Sequence, residues 1–308
     1  MLLENFRPGV MARMGLGHER VAAINPRLVY GSITGWGQDG PECDRRAYAV
    51  VVQAEAGMTD RAIWAHDDPA PVNDPFSHAD VYAGLQLVGG VLAALLQRER
   101  TGRGQHVDVA MMAAMLVVNE HVQAELDESW QRVPDGRPIF RVGDRLASCA
   151  ADPCAKGAFE MYARALGRTD LLDDDRFATP VDRYRHRVAL LAALQEGVDR
   201  LGSLEALHAA LATERIPVGL VRTVQEVAAS PWAEHRRAFV DVDDRQGGTI
   251  RLPDAAWRFS DAEAGIAGAP AWRGEHNREV LREAGFGDDE LDRLEADGVL
   301  VSRVPAPR

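Results

Sequence analysis

Lysine is nearly absent from this 308-residue chain; Lys156 is the only one, so a catalytic lysine is excluded everywhere else. Cysteine is also scarce. Cys43, Cys149 and Cys154 form an odd set that fits reduced thiols better than a disulfide framework, and their spacing matches no zinc pattern. No uncharged run reaches the roughly 18 apolar residues of a membrane helix; the richest, Leu85 to Gln97, contains Gly89 and Gly90 and ends in Arg98, Glu99 and Arg100. A membrane-spanning protein is therefore not expected. The N-terminus lacks a basic segment followed by an apolar one, so no signal peptide is read. Positive charge is in deficit, with 35 basic against 47 acidic residues and a net charge of -12, which argues against a nucleic-acid partner. Also missing are a Gly-x-Ser-x-Gly elbow, a His-Glu-x-x-His helix and a Walker sequence.

What is present is an ordinary globular composition, 46% apolar and 27% charged. At about 100 to 200 residues per domain, the length suggests one large domain or two modest ones. Residues 18–24 read as a short helix that stops before Pro26, and Leu28 to Ile33 as a buried strand. A glycine loop follows, Gly35-Trp36-Gly37-Gln38-Asp39-Gly40-Pro41. Its Gly-x-Gly-x-x-Gly spacing resembles a dinucleotide fingerprint, but Pro41, Glu42 and Asp44 stand where a helix should open towards a phosphate. It reads as a plain turn.

After a proline-rich segment around Pro69, Pro71 and Pro75, apolar residues recur at helical spacing from Asp80 through Leu85, Val88, Leu92 and Leu96 to Arg100. Asp80 stands where loop becomes helix, so it reads as an N-cap whose carboxylate accepts backbone N–H bonds. A carboxylate held in that way also suits a nucleophile. Residues 105–109 alternate like a strand, and Met111 to Gln123 reads as another helix. The stretch 127–145 is polar and aperiodic, a linker between domains. A helix-rich unit follows, with helices at 154–166, 184–201 and 204–212 and a strand at 217–221. Strands at 239–242 and 249–252 and helices at 277–284 and 288–296 close the chain. His78 near Asp80, and His106 near Asp108, are spacings that surface residues commonly show, and neither is read as an acid–base pair.

Four segments taken in order carry a resemblance. They are Glu4-Asn5-Phe6-Arg7-Pro8-Gly9 running on to Arg13-Met14-Gly15, then Asn25-Pro26-Arg27-Leu28-Val29-Tyr30, the 35–41 loop, and Thr101-Gly102-Arg103-Gly104-Gln105. Together with Ile216-Pro217-Val218-Gly219 and Gly274-Glu275-His276-Asn277, they resemble the class III CoA-transferases, the CaiB/BaiF group of formyl-CoA and carnitine-CoA transferase type. The resemblance implies an α/β fold: a Rossmann-like large domain from residues 1–126 and, after a linker, the end of 233–308, with a smaller helix-rich α+β domain at 146–232. It implies a transferase whose nucleophile is Asp80, forming an acyl anhydride and then an aspartyl-CoA thioester before a carboxylic acid accepts CoA.

On the same ground Asn5, Phe6, Arg7, Arg13, Met14, Arg46, Ala47 and Tyr48 would contact CoA, which is substrate rather than a tightly bound cofactor, with no metal. An interlocked homodimer in the cytoplasm is implied. The chain departs from the family at three places. It starts inside the pattern, without the usual N-terminal βαβ portion, which raises a companion chain, or an inactive partner subunit, as an alternative. Ala49 stands where an acidic residue is common beside the tyrosine. The second unit has no glycine-rich run; Gly143 is isolated and Gly247-Gly248 reads as a hairpin turn. The α-methylacyl-CoA racemases of the same superfamily place a histidine where this chain has Tyr48, a poor base at neutral pH. Transfer is therefore preferred to racemisation.

Overall fold

The computed structural model describes residues 1–66, 75–119, 122–127 and 137–303. The chain forms two compact units, 1–219 and 220–308. Residues 67–74 of the proline-rich segment and 128–136 of the stretch read as a linker lie outside the described residues, Trp130, Pro134, Asp135 and Gly136 included.

The first unit opens with three parallel strands, β1 (Leu2–Glu4), β2 (Tyr30–Thr34) and β3 (His106–Ala110), in spatial order β1-β2-β3. Leu2 pairs with Tyr30, and Tyr30 with His106. Helices α1 (Val10–Arg13), α2 (His18–Ile24), α3 (Ala49–Glu55), α4 (Met58–His66) and α5 (His78–Thr101) lie between the strands in sequence. Side chains alternate across β2 as a pleat requires. Val29 and Ile33 pack with Val107 and Val109 against Leu87, Val91 and Ala94 of α5. Tyr30, Ser32 and Thr34 take the other face.

Helix α5 buries Ala79, Ala83, Leu87, Val91 and Ala94, a stripe of helical period. Its first turns rest on Val52 of α3, on Ala56 just after it, and on Met111, Ala114 and Met115 of α6 (Met111–Val118). The sequence reading excluded a span at this point because glycines and charges interrupt the apolar run. Averaged over its length, α5 is nonetheless long and apolar enough to cross a membrane. Its buried stripe belongs to the core of the unit, while Val81, Leu85, Val88, Leu92 and Leu96 face outward. The helix ends at Gly102, whose left-handed φ of 71° lets its N–H reach the Arg98 carbonyl. Arg98 and Arg100 in that last turn suit the negative end of the helix dipole. A Cβ on Gly104 would stand 2.0 Å from the Leu28 carbonyl oxygen, so the Thr-Gly-Arg-Gly turn can lie against the Asn-Pro segment only with glycine there.

Helix α6 is shorter than its apolar run suggests. Asn119 turns extended (ψ 98°) and ends it, and Val122–Glu125 forms a separate turn, α7. Residues 139–145, read as the end of a linker, instead form most of a hairpin. Strand β4 (Ile139–Val142) pairs antiparallel with β5 (Arg145–Cys149), Phe140 opposite Ala147, with Gly143 at φ 62° in the turn. Phe140, Val142, Ala147 and Cys149 alternate inward, a two-residue period too short to stand out among polar neighbours. Strand β6 (Val218–Leu220) is the third of this sheet.

Over that sheet lie α8 (Ala158–Ala165), α9 (Pro180–Arg185), α10 (Arg187–Leu201) and α11 (Leu204–Thr213), packing Phe159, Tyr162, Leu190, Leu194, Leu207 and Leu211 into one core. The expected 184–201 helix breaks at His186. Arg183 is 3% exposed; its guanidinium gives Nε–H to the Cys154 carbonyl and Nη1–H to the Phe177 carbonyl and rests over the Phe159 ring. Carbonyl dipoles and a π face stand in for the carboxylate that a buried cation needs.

The second unit holds α12 (Val224–Ala228), opened by a reciprocal Thr223–Glu226 capping box, and α13 (Pro231–Arg236). Strands β7 (Phe239–Asp243) and β8 (Thr249–Pro253) form a hairpin through Gly247-Gly248, as expected. Helices α14 (Asn277–Glu283) and α15 (Asp288–Ala296) are clamped together by Arg278 on Asp292 and Glu295. Arg245 binds Glu275, holding the 274–277 turn beside the hairpin. That pairing and the Trp272 N–H keep the Glu275 carboxyl down at about 2.

Candidate active site

The sheet and the start of α5 converge on a cavity of about 430 Å³ in the first unit. It is lined by Asn5, Phe6 and Arg7, which follow β1, by Thr34 and Gly35 at the end of β2, by Ala47 and Tyr48 before α3, and by Asp80. Six of the nine residues singled out in the sequence are thus brought together: Asn5, Phe6, Arg7, Ala47, Tyr48 and Asp80. Arg13, Met14 and Arg46 are exposed and do not line this cavity. In place of Arg46 its neighbour Arg45 does, together with Cys43 and Met111.

Asp80 is not the N-cap. Ser77 holds that position and Asp80 is the third residue of α5, in the first turn, with its side chain exposed. The positive end of the helix dipole still favours a carboxylate there. The turn is fixed from beneath by Gln53, which is 2% exposed and whose Oε1 accepts the Ala79 N–H at 3.3 Å. A buried amide on α3 thereby satisfies an orphan donor of α5 one residue before Asp80. Nothing in the sequence pointed to Gln53, since only the packing of α3 on α5 brings it to that turn.

The glycine loop is tied down at two adjacent residues. The Gly37 N–H reaches Thr34 Oγ1 at 3.0 Å and the Gln38 N–H reaches Asp108 Oδ2 at 3.0 Å. No helix opens at Gly40, in agreement with the reading of a plain turn. Gly35 has a steric role: a Cβ on it would lie 2.1 Å from the Ala47 Cβ, so the loop can cross the 47–48 segment only without one. Arg7 Nη2 donates to the Asp44 carbonyl at 2.6 Å, stapling the 5–8 segment to the same crossing.

Among the described residues neither His78 with Asp80 nor His106 with Asp108 forms a hydrogen-bonded pair. The His78 ring stacks on Phe76 at 5.7 Å. His106 lies on the opposite face of the sheet, with Nε2 2.8 Å from Ser32 Oγ and its ring stacked on His18 at 5.0 Å, while Asp108 holds Gln38. Burial and the neighbouring His18 pull His106 below the ordinary imidazole value, against the opposing pull of Asp108 and Glu4. The unfolded chain therefore binds this proton at higher pH than the folded one. The stability that His106 contributes is present above the ordinary imidazole value of about 6.5 and is lost as pH falls from there through the lower folded value. We expect the urea midpoint of the chain to drop between about pH 7.5 and about pH 5.5, and His106→Gln, which keeps a partner for Ser32, to flatten that drop. An unchanged slope in the variant would exclude His106 as its source.

Among the described residues no group of three or more histidine, cysteine or acidic side chains could hold a metal ion. The cavity itself presents the carboxylate of Asp80, the phenol of Tyr48 and the guanidiniums of Arg7 and Arg45, groups of which the arginines suit phosphate or carboxylate.

Residues 1–277 match the sequence pattern of the family described as CoA-transferase family III. The chain is 33% identical to a formyl-CoA:oxalate CoA-transferase of Streptomyces avermitilis, over 97% of this chain and 78% of that protein. It is 30% identical to a succinyl-CoA–D-citramalate CoA-transferase of Chloroflexus aurantiacus, over 97% and 76% respectively. Among solved structures, a CaiB/BaiF family protein from Brucella suis superposes with a TM-score of 0.73 at 30% identity, covering 92% of this chain and 75% of that one.

Proposed function

The chain belongs to CoA-transferase family III, and from that premise we propose that it passes CoA from an acyl-CoA thioester to a carboxylic acid through covalent intermediates on Asp80. The observation that carries this reading is the single cavity into which Asp80 opens beside Asn5, Phe6, Arg7, Ala47 and Tyr48. A carboxylate attacks the thioester carbonyl and releases CoA thiolate, leaving an acyl anhydride on Asp80. The thiolate then attacks the aspartyl carbonyl, giving aspartyl-CoA and the free donor acid. The acceptor carboxylate attacks that thioester in turn, and the thiolate released captures its acyl group, restoring Asp80. Each step exchanges one acyl bond for another, so the hard direct exchange is divided without a metal.

The fold supports this chemistry in two ways. The Gln53 contact holds the first turn of α5, and with it Asp80, in place, and the guanidiniums of a net acidic chain supply local positive charge for the CoA phosphates. Arg13 and Arg46 stand outside the cavity, exposed, where the nucleotide end of a long ligand could reach them. Tyr48 is 74% exposed at the cavity, in the place where a racemase would need its base, which favours transfer. The apolar outer stripe of α5 supports a homodimer as the assembled form, and the reduced thiols suit the cytoplasm.

Exchange of labelled acid into its own thioester tests the reading. The chain should move radiolabelled succinate into succinyl-CoA, or butyrate into butyryl-CoA, without net reaction. Solvent deuterium entering the acyl α-carbon with no acid exchange would point to racemisation instead.

A further inference from the structure

We propose that Arg45 receives the remote carboxylate of the acceptor, so that the acids this chain prefers carry two carboxyl groups; the inference rests on the transfer reading above. Arg45 lines the Asp80 cavity, and the sequence motifs passed over it in favour of Arg46. A guanidinium has five N–H donors in a planar fork. Nη1 gives its two hydrogens to Glu42 Oε2 at 2.7 Å and Glu55 Oε2 at 2.9 Å, and Nη2 gives one to Glu55 Oε1. Glu55 therefore occupies the end of the fork in a bidentate grip, and Glu42 takes the outer hydrogen of Nη1. The remaining edge, formed by Nε–H and the second Nη2–H, meets no acceptor among the described residues. That edge has the spacing that binds a second carboxylate with two parallel hydrogen bonds.

The plane of the fork is fixed, because the guanidinium carbon lies 4.4 Å from the centre of the Trp36 ring. The Trp36 indole N–H is itself buried and meets no acceptor among the described residues, a second unused donor beside the same cation. Charge sets a condition on binding. Arg45 between Glu42 and Glu55 is a net negative cluster, so an incoming carboxylate must displace one of them. Glu42 is the candidate, held by a single hydrogen bond and with a side chain 51% exposed; exposed pairs of this kind are weak. With Glu42 released, the Arg45–Glu55 pair is neutral and the free edge can take the acid, whose other carboxyl group is then presented to the covalent chemistry at Asp80.

Succinate and butyrate have the same four-carbon chain and differ in the second carboxyl group, so their exchange into succinyl-CoA and butyryl-CoA isolates its effect. The wild-type chain should prefer succinate. Arg45→Gln should raise the KM for succinate and lower the succinate-to-butyrate ratio of kcat/KM by about tenfold or more, with Arg45→Lys in between. Glu42→Gln, which removes the competing carboxylate and keeps Arg45, should lower the KM for succinate; a purely structural role for Arg45 predicts no such gain. If Arg45→Gln fails to fold, Glu42→Gln decides alone. A wild-type chain that prefers butyrate, or variants that leave the ratio unmoved, would overturn the Arg45 assignment while leaving transfer intact. A wild-type chain that exchanges neither acid would overturn both.

Discussion

Asp80→Asn is expected to lower acyl-CoA:acid exchange by about a thousandfold or more and to leave the fold untouched. The two halves of this expectation have separate causes. Asparagine has the shape of aspartate but cannot form an anhydride and be regenerated, so removing the charge removes the only nucleophile proposed for every covalent step. Asp80 is also exposed in the first turn of α5, outside the buried stripe of that helix. Its loss should change stability by no more than the favourable dipole interaction of one exposed carboxylate, about 0.3 to 1 kcal/mol. Exchange assays paired with urea melts separate the two. A variant that melts like the wild type but has lost turnover is the expected result; one that retains most of its turnover would remove Asp80 from the chemistry.

The second large effect is expected at Gly35, which touches no substrate in this reading. Adding a Cβ there places it 2.1 Å from the Cβ of Ala47, far inside van der Waals contact, and both carbons are fixed to backbone. Either the end of β2 or the Ala47–Tyr48 segment must move, by something on the order of an ångström. Overpacking of this kind costs about 1 to 3 kcal/mol. A shift of about 1 Å in the walls of a site can cost about a hundredfold in rate. Gly35→Ala should therefore lose stability and activity together.

The pair Gly35→Ala with Ala47→Gly gives the sharper test. Removing the Ala47 Cβ leaves its Cα 3.6 Å from the new methyl group, an ordinary contact, so the double variant should regain most of both losses. If the double variant is as impaired as the single one, the crossing of these two segments is not what Gly35 protects.

Much of this site could be read from the sequence because its residues lie in continuous motifs. Asn5, Phe6 and Arg7 are adjacent, Ala47 and Tyr48 are adjacent, and the apolar period of α5 places Asp80 near the start of that helix. The boundaries of that helix were legible to within three residues, since burial on one face imposes the period. Other features depend on tertiary contacts that no local pattern encodes. Whether Arg45 or Arg46 faces the cavity is decided by the path of an irregular segment between the glycine loop and α3, where there is no period to follow. Gln53 sits in an apolar helix with no mark of its role until α3 packs beneath the first turn of α5. The N-cap fell three residues early, at Ser77, because a short polar run before a helix offers several capping side chains of similar quality. The β4–β5 hairpin was lost among polar neighbours because each strand places only two side chains inward.

Covalent capture at Asp80 tests the central claim most directly. The chain would be incubated with an acyl-CoA it exchanges, quenched with hydroxylamine, digested, and the peptide carrying Asp80 examined by mass spectrometry. Hydroxylamine converts an aspartyl thioester to a hydroxamate on the aspartyl carbonyl with release of CoA, and does the same to an anhydride where it attacks the aspartyl rather than the acyl carbonyl. A hydroxamate at Asp80 that requires acyl-CoA and is absent from Asp80→Asn is the predicted result. An unmodified Asp80 peptide from a chain that is turning over, or a hydroxamate at another carboxylate, would contradict the proposed mechanism.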